Sequence, residues 1–116
     1  MAELTVGREL DAAVAGAQGY KQVWVQGTEF WQRGNEPADF LIPNSTSNAV
    51  AMATLGEVIK EHPGIRIALL YAMSVWRCGI AWDAALPLGE EMVRWAGKTI
   101  AEAISRAIVA LGEKQP

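Results

Sequence analysis

Among the residues able to do chemistry, Gly97-Lys98-Thr99 comes first, because Gly-Lys-Thr opening a helix is the end of a phosphate-binding loop. The spacing fails. The first glycine of that loop would stand at position 92, which is Met92, and Gly89 lies three residues too early to let backbone amides wrap a phosphate. What remains is a turn glycine, a cation and a capping threonine. A helix N-terminus with free amides beside Lys98 is still a place where an anionic group could settle. Tryptophan is the second signal, with five in 116 residues, three of them close to an arginine: Trp31 with Arg33, Trp76 with Arg77, and Trp95 with Arg94. On a strand Trp31 and Arg33 share a face, whereas the other two pairs point apart. An indole surface beside a guanidinium can stack a base and hold a phosphate. Most of these tryptophans are expected in the core, each burying about 150–250 Å². Trp31, next to a long polar loop, is the expected exception, so the candidate ligand-binding residues are Trp31, Arg33, Lys98 and Thr99.

Catalysis and metal binding find fewer supports. The single histidine, His62, stands in a Glu-His-Pro-Gly helix terminator, where a capping role is expected. Cys78 lies in an apolar run and reads as a small buried hydrophobe, with Arg77 directed to the opposite face of a strand. Glu90 and Glu91 are adjacent on a polar stretch, and Asp39 and Asp83 have no evident partner for acid/base work. No Cys and His residues have zinc-ligand spacing. The expectation is therefore a binding protein with no catalytic residues, no metal and no cofactor.

Composition sets the frame for these groups. Apolar residues make up 51% of the chain and charged residues 20%, a globular balance that excludes a disordered tail, and a chain of this length can bury a core without disulfides. One domain spanning residues 1–116 is expected. With 10 basic and 13 acidic side chains the net charge is −3, which argues against nucleic acid as a general partner. A lone cysteine favours a reducing, cytoplasmic compartment, and the absence of a long apolar run predicts neither secretion nor a membrane partner.

The elements follow from periodicity and turn chemistry. Leu10, Ala13, Val14 and Ala17 predict a helix from about Gly7 to Ala17. Tyr20 to Gln26 predicts a strand, Gly27-Thr28 a turn, and Glu29 to Arg33 a short partner strand. Residues 34–48 hold Gly, Pro, Asn and Ser/Thr and form the longest irregular stretch. A second helix is expected from Ser47 or Asn48 to Glu61, with Val50, Leu55, Val58 and Ile59 as its buried stripe. Residues 65–82 predict a hairpin, with a buried helix over Ile67 to Cys78 as the competing reading. Asp83 to Gly89 reads as a loop and Met92 to Ala96 as a last strand. Thr99-Ile100-Ala101-Glu102 has capping-box spacing, and the stripe Ile100, Ala103, Ile104, Ala107, Ile108 and Leu111 continues a helix that Gly112 is expected to end. The predicted class is α+β, an antiparallel sheet of about four to five strands packed with three helices.

This order of elements resembles the small phage ABA sandwich domain family. The likeness runs from Leu10 to Leu111 through the Tyr20-to-Gln26 strand, Ile42-Pro43-Asn44-Ser45-Thr46 before an Ala/Val-rich helix, and Ala96-Gly97-Lys98-Thr99 entering Ile100-Ala101-Glu102-Ala103-Ile104. The Asp83-to-Glu91 connection is longer than the pattern, and Met52 or Leu55 stands where an aromatic is expected in the central helix. The resemblance implies an antiparallel sheet with helices on it, encoded by a phage or prophage, and no catalytic residues. The function expected on that basis is a non-catalytic accessory protein in the cytoplasm of a bacterial host, sequestering a signalling nucleotide or another small phosphorylated ligand. The alternative is a protein-binding inhibitor of a host enzyme or defence complex, acting through an apolar, aromatic surface that could also make a homo-oligomer.

Overall fold

The computed structural model describes residues 4–81 and 95–113. It contains three helices and five strands in the order α1 (Arg8–Ala17), β1 (Lys21–Val25), β2 (Thr28–Gln32), α2 (Asn48–Glu61), β3 (Arg66–Ala72), β4 (Val75–Ala81), β5 (Trp95–Gly97) and α3 (Ile100–Glu113). The class is α+β. The sheet, however, is split: β1 and β2 form an antiparallel ribbon, and β3, β4 and β5 form a separate antiparallel sheet in that order. The expected loop over residues 83–89, Trp82, the Glu90-Glu91 pair and Arg94 lie outside the described residues.

The amphipathic stripe of α3 is why the core forms where it does. Ala101, Ala103, Ile104, Ala107, Ile108 and Leu111 are buried, and the helix packs on α1, α2, β4 and β5. Ile104 at the centre is fully buried, so truncation to Ala would cost about 2–5 kcal/mol. Ser105, read from periodicity as off the stripe, is also fully buried. Gly112 does not end the helix. It lies inside α3, where an added Cβ would come within 2.9 Å of the Ala17 Cβ, so its smallness serves close approach of α1. Gly97 has the same role at the other end, since a Cβ there would stand 2.6 Å from the Ala103 amide nitrogen.

The α2 stripe is narrower than expected. Ala51, Thr54, Leu55 and Val58 are buried while Ile59 is exposed and Val50 half-buried, a set spaced by three and four residues that turns Thr54 inward. Ser47 caps this helix, its side chain accepting from the Val50 amide at 3.3 Å, and His62 stands at its C-cap, its amide donating to the Val58 carbonyl.

Residues 66–81 form a hairpin, not a helix, with Leu69 opposite Cys78 and Tyr71 opposite Trp76. Both hairpins turn on two residues with positive φ, Gln26-Gly27 in the first and Met73-Ser74 in the second, the pattern whose twist matches that of paired strands. The first turn therefore sits one residue earlier than Gly27-Thr28.

Candidate functional site

The long polar segment after β2 is not loose. Asp39 pairs back onto Trp31 through two backbone hydrogen bonds of 2.7 and 2.9 Å, so residues 33–38 close a short lobe beside the ribbon. Further on, Asn44 and Ser45 are buried, which a loop tolerates only if its polar groups find partners. The Ser45 amide donates to Asp11 Oδ1 at 2.6 Å, and the Ser45 hydroxyl accepts from the Gly7 amide at 2.9 Å. Asn44 Nδ2 donates to Ser105 Oγ at 2.7 Å, a bond across 61 positions that ties the loop to α3. Asn44 Oδ1 is buried and has no hydrogen-bond partner among the described residues.

Between this segment, α1, β2 and α2 lies a pocket of about 400 Å³. Tyr20, Trp31 and Phe40 supply aromatic walls, and Asp11, Glu36 and Asp39 supply carboxylates, with Asn44 and Thr54 among the buried lining residues. Phe40 is 64% exposed, and Phe30 supports its ring at a centroid distance of 5.2 Å. Trp31 is half-buried, and its indole N–H donates to Glu29 Oε1 at 3.1 Å. The same oxygen accepts from Arg8 at 2.6 Å and from Gln22 at 2.7 Å. The hydrogen bond from Arg8 is the main reason that the Glu29 carboxyl is held below its ordinary pKa, and the ion pair raises that of Arg8. Thus α1 is pinned to the ribbon, and Trp31 is oriented from behind.

Arg33 stands close by without lining the pocket. Its guanidinium reaches Glu36 at 3.3 Å and Glu61 at 3.2 Å and sits 5.0 Å above the Tyr20 ring centroid. The hydrogen bond to Glu36 leads the contributions that raise its pKa. These bonds make Arg33 a brace between β2, the lobe and the end of α2, so the phosphate-holding role read from sequence meets a guanidinium that is already engaged.

Lys98 and Thr99 do not line the pocket. Lys98 is exposed on the turn between β5 and α3, and Thr99 caps α3 by accepting the Glu102 amide at 3.1 Å, as the spacing predicts. The free amides expected beside Lys98 are largely taken. Asn48 Oδ1, at the start of α2, accepts the Ala101 amide at 2.9 Å, and the Thr99 carbonyl accepts the Ala103 amide at 3.2 Å. The start of α2 thus helps to cap the start of α3, and the anion site read from Gly97-Lys98-Thr99 is filled by protein groups.

The other expected actors are structural. Cys78 is fully buried, and burial pushes its thiol up to about 12, so it stays protonated and inert. Of the described tryptophans, Trp76 and Trp95 pack against the core while Trp24 is 63% exposed, which makes Trp24 a second departure from the core expectation. Asp11, Tyr20, Glu36, Phe40, Asn44 and Thr54 are among the pocket residues that sequence reasoning missed. Asp11 falls in the buried face of α1 between Leu10 and Val14, and a carboxylate on an apolar stripe is the signal that could have found it. Comparison of the chain with protein-family models, curated proteins and solved structures gives no match.

Proposed function

We propose that the protein is a non-catalytic binding protein that sequesters a small molecule in the Trp31 pocket. The observation that carries this reading is a pocket of about 400 Å³, walled by three aromatic rings, whose floor is built from buried polar side chains. Pockets of this size with few convergent polar groups are where small ligands bind. The resemblance to phage accessory domains supplies the setting, capture of a host signalling molecule in a bacterial cytoplasm. A nucleotide would have to enter base first. Its ring could stack on Trp31, Tyr20 or Phe40, but its phosphates would stay in solvent, since no Lys or Arg lines the described pocket.

The test is to incubate the purified protein with bacterial extract, repurify it, denature it and identify released small molecules by mass spectrometry. A near-stoichiometric load carried by the native protein and lost in Trp31→Ala and Phe40→Ala variants of unchanged melting temperature is the expected result. A load that persists in both variants would place the ligand elsewhere, and a protein that emerges empty from every extract would refute sequestration.

A protein-binding role has its own observation. Leu69, Leu70, Tyr71 and Met73 are exposed on the β3–β4 hairpin, and β3 is at the edge of the described three-stranded sheet. An open edge with apolar side chains is a surface on which another chain can add a strand. In the same experiment, a host polypeptide retained through repurification and released by a Leu70→Lys variant would favour that role.

A further inference from the structure

We infer that the Trp31 pocket selects an organic cation: an ammonium, amidinium or guanidinium group carried on an apolar or ring-shaped body. This rests on the reading of the pocket as a ligand site and names the class of its occupant.

Charge is the first observation. Asp11, Glu36 and Asp39 line the pocket, and no Lys or Arg is among the described lining residues. Arg33 offsets Glu36, which it meets at 3.3 Å. Asp11 and Asp39 remain, and their hydrogen bonds at Oδ1 are to backbone amides, those of Ser45 and Phe40. An amide satisfies a lone pair without cancelling a charge, so the pocket keeps an attraction for positive groups that its partly enclosed walls shield from solvent.

Hydrogen-bond polarity is the second. Carboxylates only accept, and the atom of Asn44 left without a partner among the described residues is its acceptor Oδ1, in a residue 2% exposed. A ligand that complements the carboxylates presents N–H donors, whereas an anion meets charge of its own sign. The third is the aromatic wall. Arg33 already occupies one face of Tyr20, with its guanidinium 5.0 Å from the ring centroid, so Trp31 and Phe40 are the lining rings left to meet a ligand cation. Size then separates an organic cation from a metal ion. No three of the described His, Cys, Asp and Glu side chains lie close enough to hold one metal, whereas a planar or chain-like cation can span carboxylates set apart around 400 Å³.

Isothermal titration with matched probes tests this. Benzamidine, benzyl alcohol and benzoate share a ring and differ in charge and donors, and adenosine monophosphate stands for a base with a phosphate. Benzamidine is expected to bind one to one and to weaken as salt rises, with benzyl alcohol far weaker and benzoate silent. The Asp39→Asn variant alters one exposed residue and spares both the buried ties and the Arg33–Glu36 pair, so it should fold normally and lose roughly tenfold in benzamidine affinity. Benzoate binding as tightly as benzamidine, or an Asp39→Asn variant with unchanged affinity, overturns the inference. Adenosine monophosphate binding in the absence of benzamidine binding overturns it while leaving the pocket a ligand site. Silence from every probe also overturns it, and the extract experiment then decides separately whether the pocket holds a ligand at all.

Discussion

Removing one hydroxyl from α3 should loosen the floor of the pocket. Ser105 is fully buried, and its Oγ accepts from Asn44 Nδ2 at 2.7 Å. In Ser105→Ala that donor stays buried and loses its partner, at a cost of about 1–3 kcal/mol. The lost oxygen leaves almost no void, so the penalty is polar and little of it comes from packing. For 116 residues the unfolding entropy is roughly 0.24 kcal/mol/K, so the melting temperature should fall by about 4–12 °C. Asn44→Ala removes the donor together with the already unpartnered Oδ1, so Ser105→Ala made in that background should cost little more. The cycle of four proteins, followed by urea unfolding, is expected to give a coupling energy of about 1–2 kcal/mol. A Ser105→Ala protein that melts with the wild type, or a coupling near zero, would refute the view that this bond ties the loop to the core.

Other expectations are quicker to check. Met73 and Ser74 occupy left-handed conformations that cost an ordinary residue roughly 1–2 kcal/mol each, so Met73→Asn with Ser74→Gly should stabilise the protein by about 1 kcal/mol in urea unfolding. Cys78, raised to about 12 by burial, should resist a thiol reagent at pH 8 in the folded protein and react at once in denaturant. Glu29 has its pKa lowered in the folded state, mainly by the hydrogen bond from Arg8, so its contribution is present above the unfolded pKa and lost as pH falls through the folded one. The stability difference between wild type and Glu29→Gln should therefore shrink on acidification through and below the usual glutamate range, as read by melting temperature.

Local signals carried most of the elements. Thr99 and the His62-Pro63-Gly64 stop are properties of four or five neighbouring residues, and they set helix ends within about one position. By contrast, Asn44, Ser45, Ser47 and Asn48 are equally good caps for α2 until Ser47 is seen to accept the Val50 amide. Length is what favours the hairpin over residues 66–81, a run long enough for two strands, since a stretch apolar on every side has no period that separates strand from helix. The errors share a different cause, contacts between distant parts of the chain. Ile59 looks as apolar as Val58, and only the approach of α3 decides that Ala51, Thr54, Leu55 and Val58 face inward. Ser105 looks exposed until Asn44 is brought to it, and Gly112 looks like a stop until Ala17 is placed against it. The division into two sheets has the same origin, because β1 and β2 satisfy each other and the intervening lobe pairs with Trp31. Of the four candidate site residues, Trp31 lines the pocket, Arg33 braces it, and Lys98 and Thr99 belong to the α2–α3 helix starts. No motif could separate these roles, since each depends on which partner reaches the side chain first.

The way the loop is anchored bears on how the pocket works. Burying Asn44, Ser45, Asp11 and Ser105 costs desolvation at every polar atom, and an apolar loop of the same length could have sealed this face without it. What the polar chain gives instead is direction. Gly7, Asp11 and Ser45 fix the loop to α1, while Asn44 and Ser105 fix it to α3, so the floor is held from two helices by bonds with defined geometry. At the rim the backbone is held by the Asp39–Trp31 bridge and the Arg33–Glu36 pair, whereas the side chains of Phe40 and Ile42 are exposed. A fixed floor under a rim of exposed side chains is an arrangement in which entry requires side-chain adjustment only, and the groups that recognise the ligand stay in place. The same asymmetry orders the variants: changes at the rim should act on binding with little effect on melting, and changes at the floor should act on both.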